Sequence, residues 1–143
     1  MVPLLSSLSD SFGLIFNCAF GSSKNAGPTI NSDFDDQAVG LSNDAYKLFI
    51  YLDNIKEYGD IYTSERDGKR FNKMVKLGEN VNSNDFETSA SISADGNTLF
   101  FTSIRPEGHG GLDLYMSRKL PMGEWGLPQN LGAQVNTKYN EDF

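Results

Sequence analysis

The chain repeats itself, and that repeat constrains its fold more than any other feature. Leu41-Ser42-Asn43-Asp44-Ala45 aligns with Ile92-Ser93-Ala94-Asp95-Gly96 fifty-one positions later. Leu48-Phe49-Ile50-Tyr51 falls on Leu99-Phe100-Phe101-Thr102 at the same spacing. Gly59-Asp60-Ile61-Tyr62 matches Gly111, Asp113, Leu114 and Tyr115 once a longer turn is allowed, and Phe71 then meets Trp125 as Leu77-Gly78 meets Leu131-Gly132. Upstream, Phe20-Gly21 and Asn25-Ala26-Gly27 stand where Trp125-Gly126 and Asn130-Leu131-Gly132 stand, and Asp10-Ser11-Phe12 faintly echoes Asp60-Ile61-Tyr62. Downstream, Val135-Asn136-Thr137 restarts the unit as Ile30-Asn31-Ser32 and Val81-Asn82-Ser83 do. The expected division is 1–29 as the end of a preceding unit or an irregular segment, 30–80 and 81–134 as two full units, and 135–143 as the start of another.

The stretch Ser89 to Tyr115 says what one unit is. Ser89 to Ser93 alternates small polar and apolar residues, Ala94-Asp95-Gly96-Asn97 supplies a turn, and Thr98 to Ser103 is a β-rich run, so the three together read as a hairpin. Aspartate bonds its own backbone in turns and glycine accepts a positive φ without a Cβ clash, which gives Asp95-Gly96 a mechanism. Leu99-Phe100-Phe101 is apolar at consecutive positions, which suits a sheet covered on both faces. The segment Arg105 to Gly111, with its proline and three glycines, breaks regular structure and leads to a third strand at Leu112 to Ser117. Fourteen glycines and 12% aromatic residues favour short strands joined by tight turns, hence an all-β class. Four short strands in a unit of about fifty residues is the signature of a propeller blade.

The formal charge of −7 makes duplex DNA and anionic membrane surfaces repulsive, so nucleic acid is set aside as a partner. Cys18 is the only cysteine; it excludes an internal disulfide and reads as a small buried hydrophobe. The apolar run Phe12 to Phe20 is too short to span a bilayer and has no basic residue before it, so no signal peptide is expected.

No cluster announces a reaction, and no catalytic, cofactor-binding or metal-ligating residue is assigned. Ser93 to Thr98 resembles the Asp box of sialidase propellers, but there aspartate and glycine are separated by one residue and here they adjoin. Asp33, Asp35 and Asp36 lack the alternate-ligand spacing of a calcium loop and read as a solvated acidic turn. His109, the only histidine, sits between glycines, a poor place to hold a catalytic base rigid. The run Gly108 to Gly111 precedes a strand rather than a helix, which argues against a phosphate cradle. Arg105 is expected to clamp Asp113 across a hairpin as a bidentate structural pair.

Ile92-Ser93-Ala94-Asp95-Gly96, Leu99 to Ser103, Arg105-Pro106, Gly110-Gly111, Asp113-Leu114-Tyr115 and Gly123-Glu124-Trp125 through Asn130-Leu131-Gly132 together resemble the WD-like β-propeller repeat of the TolB type. The version they resemble most occurs in bacterial cell-envelope proteins, often beside an OmpA-like domain. The resemblance covers roughly residues 20 to 143. It implies a four-stranded blade per unit, with Asp95, Gly96, Arg105, Asp113, Tyr115 and Trp125 as motif residues and Asp44, Asp60, Tyr62 and Phe71 as their counterparts. The resemblance further implies a non-enzymatic scaffold without cofactors, at the periplasm or outer membrane, contacting envelope proteins or glycans. The alternative is the propeller portion of a hydrolase of the prolyl-oligopeptidase kind whose catalytic domain lies elsewhere. The family places proline where Asn43 and Ala94 stand and glycine where Ala45 stands, so the Asn43–Ala45 turn is expected to take another geometry. The earlier unit also carries Asn54 to Gly59 in place of the Arg-Pro and Gly-Gly turn.

A propeller closes a ring of about four to eight blades, so two units leave outer faces without neighbours. At about 25 cal/mol per Å², some 400 Å² of apolar area left open per face forfeits on the order of 10 kcal/mol. Self-association through unpaired faces, or through strands such as Leu48 to Leu52, is the expected consequence. Trp125 and Phe71 are expected to fill the wedge between adjoining blades.

Overall fold

A computed structural model describes residues 24–54 and 57–142. Cys18, the run Phe12 to Phe20, and the matches at Asp10-Ser11-Phe12 and Phe20-Gly21 lie outside the described residues. Among those described, the structure is all β and holds no helix.

The first sheet is built from β1 (Asp35–Leu41), β2 (Lys47–Asn54), β3 (Glu57–Asp67), β4 (Arg70–Phe71) and β5 (Val75–Lys76), all antiparallel, in the order β1-β2-β3-β4 with β5 also on β3. The second sheet runs β6 (Glu87–Ile92), β7 (Thr98–Ser103), β8 (Asp113–Arg118), β9 (Gln129–Asn130). The meander read from Ser89 to Tyr115 is therefore β6, β7 and β8. Corresponding residues occupy corresponding registers: Leu41 opposes Leu48 as Ile92 opposes Leu99, and Ile50 opposes Tyr62 as Phe101 opposes Tyr115.

Alternation along β2 puts Leu48, Ile50 and Leu52 on one face and Phe49 and Tyr51 on the other. Leu48, Phe49 and Ile50 are at most 3% exposed, so the first sheet is covered on both faces. The two-sided cover expected from Leu99-Phe100-Phe101 is corrected: Leu99 and Phe101 are buried and Phe100, on the other face, is half-buried. On one face, Ile30, Leu48, Ile50 and Phe71 form a cluster joined by Leu41, Tyr62 and Met74. On the other, Phe49 and Ile61 meet Val81, Ala90, Leu99, Phe101 and Tyr115, so the core of the molecule lies between the two sheets. Strand β6 is the seam, packing against β1, β2 and β3. There the backbones come so close that a Cβ on Gly40 would lie 2.5 Å from the Ala90 carbonyl oxygen. Only glycine fits.

Two further expectations are corrected. Leu48 to Leu52 is not an unpaired strand: it is the centre of β2, hydrogen-bonded to β1 on one side and β3 on the other. The Asn43–Ala45 turn does not change geometry for want of glycine. Ala45 adopts φ +55° where Gly96 has φ +72°, and the same backbone bonds close both turns: Ala45 N to Ser42 O and Gly96 N to Ser93 O, each at 2.8 Å. The turn's side-chain bonds outweigh the roughly 1–2 kcal/mol that a Cβ costs in this conformation.

Candidate functional site

The hairpin turns are the simplest of the motif positions. Asp44 Oδ1 accepts from Ser42 Oγ at 2.5 Å and Tyr46 N at 3.0 Å, and Asp95 Oδ1 accepts from Ser93 Oγ at 2.5 Å and Asn97 N at 3.0 Å. The serine hydroxyl of each turn in turn accepts the amide that opens the next strand, Lys47 N or Thr98 N. Hydrogen bonds to the ionised form hold both carboxyls below the usual value, the serine bond contributing most. Both aspartates are turn formers.

The linking loops carry a second constellation. Ser32, Ser83 and Thr137 each donate backbone amide and side-chain hydroxyl to a carboxylate four residues on, Asp36, Glu87 and Glu141 respectively. Each hydroxyl also accepts the amide two residues ahead, from Phe34, Asp85 and Tyr139. The residue before each is an asparagine. Asn82 Oδ1 accepts from Ile61 N at 2.8 Å while its Nδ2 donates to Ile61 O at 2.9 Å. Asn136 does the same to Leu114, at 2.8 and 3.0 Å. Each of these two loops is thus pinned to the outer side of the preceding sheet's third strand.

At the middle loop the carboxylate is fully buried and collects partners. Glu87 Oε1 accepts from Ser83 Oγ at 2.7 Å, Ser103 Oγ at 2.6 Å and the Arg105 guanidinium at 3.2 Å. Arg105 also donates to Val81 O at 2.6 Å and through Nε to Ser103 Oγ at 2.9 Å, and its guanidinium carbon stands 5.0 Å from the ring centroids of Phe101 and of Tyr115. The expected Arg105–Asp113 clamp is therefore corrected: the arginine's carboxylate is Glu87. Asp113 serves the glycine-rich turn instead, its Oδ2 accepting from His109 N at 2.5 Å and Asn130 Nδ2 at 2.8 Å. The reason is reach. The turn at Gly108 packs directly on Asp113, where a Cβ would lie 2.7 Å from Oδ2, so the carboxylate is committed to the turn's own backbone.

The counterpart of Asp113 is Asp60, and the two are neutralised differently. Asp60 meets Lys76 Nζ at 2.7 Å, whereas at the place of Lys76 the second unit has the neutral amide of Asn130. Asp113 Oδ1 and the Tyr115 hydroxyl, both buried, have no hydrogen-bond partner among the described residues. Tyr62 packs in the cluster around Ile50, and Phe71, 7% exposed, lies in the same cluster. Trp125 is half-buried against the core between the sheets, and its carbonyl accepts from Asn80 Nδ2 at 2.7 Å.

The first unit carries a shallow depression of about 450 Å³ lined by Asn31, Phe34, Asp35, Asp36, Gln37 and Tyr51. Burial, then the nearby Asp53 and Asp35 carboxylates, push the Tyr51 phenol above its ordinary value. Of the acidic loop Asp33 to Asp36, residues Phe34, Asp35 and Asp36 line this depression, with Asp36 committed to Ser32.

Sequence reading marked Asn82, Ser83 and their counterparts only as the restart of the unit, and missed Glu87 and Glu141. The signal was present: Asn, then Ser or Thr, then Asp or Glu four further on occurs at 31–36, 82–87 and 136–141. No family model matches the chain, and no curated protein or solved structure matches it. No helix of the described residues is long and apolar enough to cross a membrane.

Proposed function

We propose that this chain is two units of a TolB-type β-propeller and works as a non-catalytic scaffold in a bacterial cell-envelope protein, offering loops and sheet faces to protein or glycan partners. The observation that carries the reading is the way its polar clusters close on themselves. Glu87, Ser83, Ser103 and Arg105 form one bonded group, and the Asp44 and Asp95 carboxylates are bonded within their own turns. A catalytic constellation keeps a nucleophile or base directed at open space; these groups hold loops to sheets. The equal registers of the two sheets and their face-to-face packing support the propeller architecture. Screening the purified chain against peptide, ester and glycoside substrates tests the reading. No turnover is expected; activity that survives purification and disappears on changing Ser93, Asp95 or His109 overturns it.

A further inference from the structure

The third linking loop repeats the device of the second. Thr137 holds Glu141 as Ser83 holds Glu87, with the amide at 3.0 Å, and Asn136 pins the loop to Leu114 as Asn82 pins its own to Ile61. The two carboxylates nevertheless meet different surroundings. Glu87 is fully buried and receives Ser103 and Arg105, while the Glu141 carboxylate is bonded among the described residues only to Thr137. Val135 is 43% exposed where its counterpart Val81 is 0% exposed.

The sheet beside this loop is likewise less covered on one side. Phe49 and Ile61 of the first sheet are 0% exposed because the second sheet lies over them. Their counterparts Phe100 and Leu114 are half-buried, with Met116 directly opposite Phe100. Asp142 accepts from the hydroxyls of Ser89 and Thr88, which sets Asp142 beside β6 as β6 itself packs beside β1.

The geometry points to Glu141 as the preformed receptor for an arginine carried by a further sheet of this same repeat, at the end of a strand reading Ser-x-Arg as Ser103-Ile104-Arg105 does. That sheet lies over Phe100, Leu114 and Met116. The chain itself shows how such an occupant fits: the second sheet covers the first in this way and brings Arg105 to Glu87. Carboxylate length agrees. The loop with the longer side chain, Glu87, has an arginine, while the loop with the shorter Asp36 has Asn54 at the matching position. A guanidinium entering beside Glu141 would find the carbonyl of Val135 where Arg105 finds that of Val81. This inference rests on the repeat-scaffold reading above.

The test is the full chain with a duplicate of Ala90–Asn136 appended after position 143. The appended sheet is expected to fold, protecting its amides from exchange. Glu141→Gln, or glutamine for the duplicate of Arg105, each lowers the thermal midpoint of the extended chain by about 5 to 10 °C. Both together lower it no further than one alone, and Glu141→Gln leaves the unextended chain unchanged. An appended sheet that stays unprotected overturns both this inference and the repeat reading. A folded sheet in which the two substitutions act additively, or a Glu141→Gln effect of equal size without the appended sheet, overturns the arginine receptor and leaves the repeat reading standing.

Discussion

The two sheets share the registers of their first three strands and the serine–aspartate turn, yet the first is buried on both faces and the second is only half-buried on one. Phe49 and Phe100 occupy one position in the repeat; the first is fully buried and the second is not. The difference separates what the repeat does for a sheet from what a neighbour does for it. Strand pairing, the serine–aspartate turn and the asparagine pin recur from unit to unit. Burial of the outward side of the second and third strands does not come with the repeat: β2 and β3 have it beneath the second sheet, while β7 and β8 are half-buried there.

Breaking the polar link between a loop and its sheet should show the largest asymmetry. Arg105→Ala leaves Glu87 buried without its cation and is expected to cost about 3 to 5 kcal/mol in denaturant unfolding. Lysine there should rescue little, because an ammonium cannot reach Glu87 and the Val81 carbonyl while lying flat on two rings. Asn54→Ala, the matching change in the first unit, is expected to cost under about 1 kcal/mol.

Next come the paired phenylalanines. Phe49→Ala should cost about 3 to 5 kcal/mol, because it opens a cavity in the shared core. Phe100→Ala should cost about 1 to 2 kcal/mol, since only part of that ring leaves water on folding. Equal losses measured by calorimetry would mean that the second sheet's outer face is already covered.

The turns should respond in opposite directions by smaller amounts. Gly96→Ala places a Cβ at φ +72° and is expected to destabilise by about 1 kcal/mol, whereas Ala45→Gly relieves φ +55° and stabilises by up to about 1 kcal/mol. Loss of stability in both variants would show that the two turns are not the same device.

The smallest effect is acid sensitivity. Asp44 and Asp95 are more acidic folded than unfolded, so their contribution is present above the ordinary carboxylate value of 3.8 and fades as pH falls through the lower folded value. Ser42→Ala and Ser93→Ala should each flatten the fall in thermal midpoint below about pH 4 by a similar, slight amount.

The strands and turns were legible in the sequence because their causes are local. Leu99-Phe100-Phe101 states a strand in three adjacent letters and Asp95-Gly96 states its turn in two, but cover on both faces depends on a neighbouring sheet, which Phe49 has and Phe100 lacks. Ala45 was misjudged because local strain was counted without the Ser42 and Asp44 bonds that hold the turn. The Arg105 partner was missed for a different reason. Glu87 lies eighteen positions back across the β6–β7 hairpin, and its pairing depends on a loop that bends the carboxylate under the sheet. The nearer Asp113 looked equivalent on charge alone. No arrangement of charges in one dimension separates these two carboxylates; the backbone of the Gly108 turn, which takes Asp113 for itself, does.

Asn82 and Asn136 also bear on how the strand edges are closed. Each presents a primary amide where the backbone pairing ends: its oxygen takes the Ile61 or Leu114 N–H, and its nitrogen donates to the same residue's carbonyl beside a backbone donor, Leu77 N or Leu131 N. An open strand edge is a template for fibril growth. A single side chain that accepts and donates at peptide spacing therefore occupies the place on the edge where another strand would pair. Aspartate, which when ionised only accepts, would set its charge against a carbonyl and reopen the edge.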